Sequence, residues 1–145
     1  MYKHILVATD GSEYAERAFS HAVELAKMLG AKLTAVTVTA PLEMTAIEGV
    51  VISPPADDYD AWQKQQATIA LDKASGAAAA AGVTAETRHL VRKQAYEGII
   101  EAARSEGCDL IVMASHGRRG VSALLLGSET QKVLTHSTVP VLVVR

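Results

Sequence analysis

Close to its start the chain carries Ile5-Leu6-Val7-Ala8, an apolar run with no polar interruption, and residues 109–114 and 139–144 form two further stretches that are nearly as continuous. A strand with one face in water alternates apolar and polar side chains, so an unbroken run of this length indicates a strand covered on both faces. Helices that cross over a parallel sheet provide that double cover.

The intervals between the runs supply the helices. After Thr9-Asp10-Gly11-Ser12, the apolar residues Ala15, Ala18, Phe19, Ala22, Val23, Ala26 and Leu29 recur at helical spacing. Ser12 is placed to cap the first turn, Glu13 and Glu16 lie at the favourable end of the helix dipole, and Gly30 supplies a stop. The β-branched stretch 32–39 predicts a second strand. Residues 62–81 predict a helix that packs through Ile69, Ala70, Leu71, Ala74, Ala77, Ala78 and Ala81 and ends at Gly82, with Gly76 as a local penalty inside it. A strand at 84–91, a helix at 94–105, the strand at 109–114, a short helix around 130–135 and the closing strand complete the set. Five strands alternating with helices predict an α/β fold, a doubly wound five-stranded parallel sheet with right-handed crossovers. Residues 40–60, with Pro41, Gly49, Pro54, Pro55 and three aspartates, predict a long irregular loop or lid.

A length of 145 residues suits one domain. Lys plus Arg number 14 against 16 Asp plus Glu, without a long run of either sign, which argues against an extended nucleic-acid surface. No segment approaches the roughly 20 apolar residues of a membrane span, and the first apolar run is too short for a secretory signal, so a soluble cytoplasmic protein is expected. Cys108 is the only cysteine and precedes an apolar strand, the setting of a quiet buried thiol. His4, His21, His89 and His136 lack the spacing of a compact metal site. Pro140 cannot donate to a ladder, which puts the last strand at a sheet edge. A bare apolar edge invites pairing, so a homodimer joined through residues 139–144 is expected.

The densest chemistry lies in Ala114-Ser115-His116-Gly117-Arg118-Arg119-Gly120, continuing to Gly127-Ser128. This segment leaves the carboxyl end of a strand, where open α/β sheets receive ligands. Gly117 and Gly120 permit bends or close approach of backbone to a phosphate, and Gly127-Ser128 can expose amides at a helix start. Ser128 and Thr130 add hydroxyls, and Arg118 and Arg119 add positive charge. The spacing matches neither a dinucleotide-binding glycine fingerprint nor a P-loop. On residue types alone a phosphate cradle and an ordinary loop with solvated arginines remain equal readings.

The same segment resembles the signature of the universal stress protein family, whose nucleotide-binding members carry G-x-x-G-x9-G-[ST]. Gly117, Gly127 and Ser128 match it with nine residues between the glycines, and Ala114 stands at the first glycine position. The opening Ile5 to Ser12 and the closing Thr138 to Val144 resemble the family as well, so the likeness spans the chain. It implies sheet order 3-2-1-4-5, an adenine nucleotide alpha hydrolase-like fold, and a dimer through the fifth strand. It also implies ATP as ligand, with Asp10 on the ribose, Ala8 and Thr9 as neighbouring contacts, Val38 near the adenine and Met113 beside the glycine loop. The phosphate contacts implied are Gly117, Gly127, Ser128, Glu129 and Thr130. For Glu129 the backbone amide is the expected contact, because its carboxylate would repel phosphate.

Several alternatives stay open at this level. Asp10 can accept from ribose hydroxyls or cap the turn that follows it, and Val38 can line a base or fill a core. Ala114 serves if that position needs only close approach, and impairs the site if it needs a positive φ. His116 can meet an anion or position the loop. Any Mg2+ would arrive with the nucleotide phosphates, since no dedicated carboxylate cage is present. No paired base and metal motif supports fast hydrolysis. The expected function is an ATP-binding stress-response regulator whose occupancy stiffens the glycine loop, biases residues 40–60 and alters a surface for a regulatory protein partner. A nucleotide-independent dimeric scaffold and a slow ATP hydrolase or phosphoryl-transfer enzyme are the alternatives.

Overall fold

A computed structural model of the chain describes residues 1–43, 45–47, 49–52, 55–118 and 125–145. The elements run β1 (His4–Ala8), α1 (Glu13–Leu29), β2 (Lys32–Thr39), β3 (Thr45–Ile47), β4 (Val50–Ile52), α2 (Ala56–Ala80), β5 (Ala85–Val91), α3 (Ala95–Ser105), β6 (Leu110–Ala114), α4 (Ser128–His136) and β7 (Val141–Val144). Five strands form one parallel sheet in the order β5-β2-β1-β6-β7, which is 3-2-1-4-5 when only these five are counted.

Alternation along the central strands divides the core into two layers. Ile5 and Val7 of β1 face α1 and α2, where Phe19, Val23, Leu71, Ala74 and Ala78 close over them. Leu6 faces the other way, with Ile111 and Met113, against Ile99, Ala102 and Ala103 of α3 and Val133 of α4. Burial on both sides is why Ile5 to Ala8 and Leu110 to Ala114 carry no polar side chain. The alanines of α2 at 67, 70, 74 and 78 are buried and let that long helix lie close to its neighbours.

Helix α1 begins as its sequence dictates. Ser12 Oγ accepts the Ala15 amide at 3.2 Å, and Gly30 ends the helix at φ +63°, a left-handed conformation that favours glycine. Three expectations need correction. The segment 40–60 is not irregular throughout, because β3 and β4 pair as an antiparallel hairpin with Gly49 at φ +79° in its turn. Helix α2 starts at Ala56, six residues earlier than the apolar pattern predicts; Asp57 and Asp58 occupy its first turn, where acidic side chains favour the helix dipole. Helix α4 likewise starts at Ser128 rather than near Thr130.

Strand β7 is a sheet edge, and Pro140 lies just before it. The Pro140 carbonyl accepts the Ile111 amide at 3.0 Å, so the proline joins the ladder through its carbonyl alone, just ahead of an edge strand, where a missing N–H is tolerated. Leu142 on this edge strand is 40% exposed. Among the described residues no helix is long and apolar enough to cross a membrane.

Candidate functional site

The carboxyl ends of β1, β2 and β6 and the amino ends of α3 and α4 surround a cavity of about 650 Å³. Sheet order decides this location. β1 has β2 on one side and β6 on the other, and the connections from β1 and β6 depart to opposite layers, which leaves a crevice above the strand ends. Ala8, Val36, Val38, Ile99 and Met113 give the cavity an apolar wall, while Asp10, His116, Gly117, Gly127 and Ser128 bring polar groups to it.

At the end of β1, Thr9 is buried and its carbonyl accepts the Thr37 hydroxyl at 2.7 Å. Asp10 Oδ1 accepts the Ser12 amide and Oδ2 accepts the Arg118 amide, each at 2.9 Å. The first bond is the turn cap anticipated as an alternative role for Asp10. The second ties β1 to the loop after β6. Two accepted bonds leave further lone-pair sites on a carboxylate.

Beyond β6, Ser115 donates its amide to the Val144 carbonyl at 2.9 Å, and the Gly127 amide donates to the Ser115 carbonyl at 2.7 Å. The chain therefore returns from its excursion onto the backbone it left. A Cβ at Gly127 would sit 2.8 Å from that carbonyl oxygen, and a Cβ at Gly117 would sit 2.8 Å from Asp10 Oδ2. Neither glycine has a positive φ. Both are required by close approach, not by backbone conformation.

Ala114 lies inside β6, paired with Val144 and buried against the α1 layer. Its backbone is that of a strand, so the conformational objection to alanine at this position does not apply here. Its carbonyl accepts the Thr130 hydroxyl at 2.9 Å. Thr130 thus anchors α4 to β6, and its hydroxyl proton is spent there.

Helix α4 opens at Gly127 without a side-chain cap. The amides of its first turn, at Ser128, Glu129 and Thr130, lie beyond the reach of intrahelical acceptors and border the cavity. Such an end concentrates partial positive charge and suits an anion. The Glu129 carboxylate is engaged elsewhere: Oε2 accepts the Tyr96 amide at 2.8 Å and Oε1 meets Lys132 Nζ at 3.3 Å. Lys132 also donates to Gln94 Oε1 at 2.7 Å. These bonds lock the first turns of α3 and α4 together.

The comparisons with known proteins bear on the whole chain. The model of the universal stress protein family matches residues 1–145. The chain belongs to that family. It is 36% identical over 149 residues to universal stress protein YxiE of Bacillus subtilis, with all of both chains covered. Among solved structures it is similar to that of protein MJ0577, of Methanocaldococcus jannaschii, at TM-score 0.83 and 29% identity, covering 99% of this chain and 96% of the other. It is also similar to a universal stress protein in complex with cAMP, at TM-score 0.75 and 29% identity, covering 99% of this chain and 97% of that one.

Within this universal stress protein, the residues expected at the site converge on one cavity. Ala8, Thr9, Asp10, Val38, Met113, Ala114, His116, Gly117, Arg118, Gly127, Ser128, Glu129 and Thr130 all line it. Arg118 is exposed, and its Nη2 lies 3.4 Å from where a Cβ of Gly11 would stand, so the guanidinium covers the turn after β1. Arg119 and Gly120 lie outside the described residues. Sequence reasoning missed Val36, Lys93, Gln94, Ala95 and Ile99, which complete the walls from β2 and from the start of α3. Sheet order was the available signal, since it brings the end of β5 beside β2. It also missed Gly98, where a Cβ would stand 2.6 Å from a Val38 methyl; the absent side chain lets α3 lie against the wall that Val38 builds.

A hydrogen bond from Arg92 holds the Glu101 carboxyl below its usual range, and the same contact raises the guanidinium. Burial pushes the Cys108 thiol up to about 12, which leaves it protonated and inert near neutrality. No group of three or more His, Cys, Asp or Glu side chains with metal-binding geometry occurs among the described residues.

Proposed function

We propose that this cavity binds an adenine nucleotide, ATP by preference, and that the protein acts as a nucleotide-occupied stress-response regulator in the cytoplasm. The observation that carries the reading is the uncapped start of α4, whose free amides border the same cavity as the Asp10 carboxylate and an apolar wall. A nucleotide asks for these three features together: a flat apolar slot for the base, an acceptor for ribose hydroxyls and fixed donors for phosphate. Val38, Met113 and Ile99 supply the slot. Asp10 supplies the acceptor. The first-turn amides of α4 with the Ser128 hydroxyl supply the donors, and the Glu129 contribution is its amide because its carboxylate is committed to α3. The cAMP complex of a relative supports an adenine ligand on this fold.

Mg2+ would enter with the phosphates. Arg118, which lines the cavity, would add charge near them. The exposed Leu142 on edge strand β7 supports a homodimer through residues 139–144, an arrangement that also covers open ladder groups. The joining of α3 to α4 through Glu129 and Lys132 gives occupancy a route to the protein surface, where a regulatory partner would sense it.

The deciding experiment is native mass spectrometry of the purified protein without added ligand, followed by calorimetric titration with ATP. A co-purifying adenine nucleotide, or saturable ATP binding, is the expected result. Absence of both would favour a nucleotide-independent scaffold, and ATP turnover near ~1 per second or faster would favour an enzyme.

A further inference from the structure

His116 is the least explained side chain of the cavity. It is only 8% exposed, and among the described residues its Nε2 is a buried polar atom with no hydrogen-bond partner. The opposite ring nitrogen is occupied: Nδ1 lies 3.0 Å from Ser115 Oγ in a buried contact. Among the described residues that hydroxyl has no other acceptor, so both groups are best satisfied when Ser115 donates to Nδ1. In that tautomer the ring proton resides on Nε2, a donor without an acceptor among the described residues. An unmet donor inside a fold is costly, and native structures keep few of them.

The placement of the ring indicates what would complete it. The His116 Cα stands 3.5 Å from where a Cβ of Gly127 would be, immediately beside the uncapped start of α4. On its other side the ring lies against Tyr14 in the first turn of α1, with centroids 5.8 Å apart. His116 lines the cavity beside the start of α4 with its ring against Tyr14, and its Nε2 is closed over, so a ligand meets it only on displacing that cover.

We propose that His116 Nε2 donates a hydrogen bond to the phosphate chain of the bound nucleotide, as a side-chain donor additional to the backbone amides of α4. The inference rests on the nucleotide reading above and deepens it by making His116 a determinant of selectivity for phosphorylated over unphosphorylated adenosine. A hydrogen bond to a charged acceptor is worth about ten- to a hundredfold in affinity.

The test compares ATP and adenosine binding by calorimetry for the wild type, His116→Phe and His116→Gln. His116→Phe is expected to weaken ATP by about ten- to a hundredfold and leave adenosine unchanged, whereas His116→Gln, which keeps a donor near the Nε2 position, retains most of the ATP affinity. Imidazole 15N spectra of the wild type give an independent readout that needs no variant: saturating ATP should shift Nε2 and slow exchange of its proton. If the wild type binds ATP but His116→Phe keeps the same ATP-to-adenosine ratio, or if the Nε2 resonance does not respond, His116 is no phosphate contact and the nucleotide reading survives. A wild type that binds neither ligand overturns both.

Discussion

The Asp10 carboxylate accepts the backbone amide of Arg118 at 2.9 Å across 108 positions of sequence, and Gly117 packs directly beneath that bond. One side chain at the end of β1 therefore holds the loop that follows β6. The role proposed for Asp10 on the ribose is added to this structural one.

Removing Asp10 should consequently do more than delete a ribose contact. Asp10→Ala is expected to weaken ATP by at least about tenfold, since charge-assisted bonds of this kind contribute about 1.5–3 kcal/mol. It should also accelerate amide exchange at Ser12 and Arg118, the two donors it satisfies. Hydrogen exchange of the unliganded variant checks the second effect independently of any ligand. Unchanged protection at both amides would refute the clamp.

Two glycines should respond to alanine with opposite sign. A Cβ at Gly127 meets the Ser115 backbone oxygen at 2.8 Å, which cannot rotate aside, whereas Gly76 in α2 has nothing within 4 Å and is exposed. Gly127→Ala is expected to cost about 1–3 kcal/mol through overpacking. Gly76→Ala should stabilise by about 0.5–1 kcal/mol, because glycine weakens a helix interior. Urea denaturation of the two variants decides the signs.

Gly98 should be coupled to Val38. The Cβ of Gly98→Ala would fall 2.6 and 2.8 Å from the two Val38 methyls. The variant is expected to lose about 1–3 kcal/mol of stability and to distort the proposed base slot. Adding Val38→Ala removes the colliding methyls, so the double variant should be more stable than Gly98→Ala alone. A double-mutant cycle with no coupling would show that α3 shifts instead.

Acid sensitivity should be traceable in part to Asp109. Its carboxylate accepts the Lys3 amide at 2.9 Å and the His4 amide at 3.1 Å, and these bonds, Lys3 foremost, hold it below the usual aspartate range against an opposing effect of burial. A carboxyl depressed in the folded state contributes stability in full above its unfolded pKa, and loses it as pH falls through the folded value. Asp109→Asn should therefore be less stable than the wild type near neutrality, with the difference shrinking once pH falls below the ordinary aspartate value of about 3.9 and toward the lower folded one. Chemical denaturation across that range measures the convergence.

Much of the fold was legible from local patterns. The continuous apolar runs located β1 and β6, the spacing from Ala15 to Leu29 located α1, and Ser12 and Gly30 marked its ends within a residue. The start of α2 was missed because Asp57 and Asp58 look like loop residues until the helix dipole gives them a purpose. The hairpin of β3 and β4 was hidden by the prolines and glycine around it. Family likeness pointed to Asp10 and the glycine loop, while Gly98 and the α3 wall carried no local mark at all.

For most of the chain, strand and helix identity follows from each residue's own side chain and the period at which its neighbours repeat. The local pattern thus determined a doubly wound α/β domain and flagged its glycine loop. Tertiary structure decided what the loop's residues do. It spent the Thr130 hydroxyl on Ala114, turned the Glu129 carboxylate toward α3, put Ala114 in an ordinary strand conformation and left His116 Nε2 without a partner. Each of those outcomes depends on distances between groups far apart in sequence, and such distances exist only once the sheet has assembled.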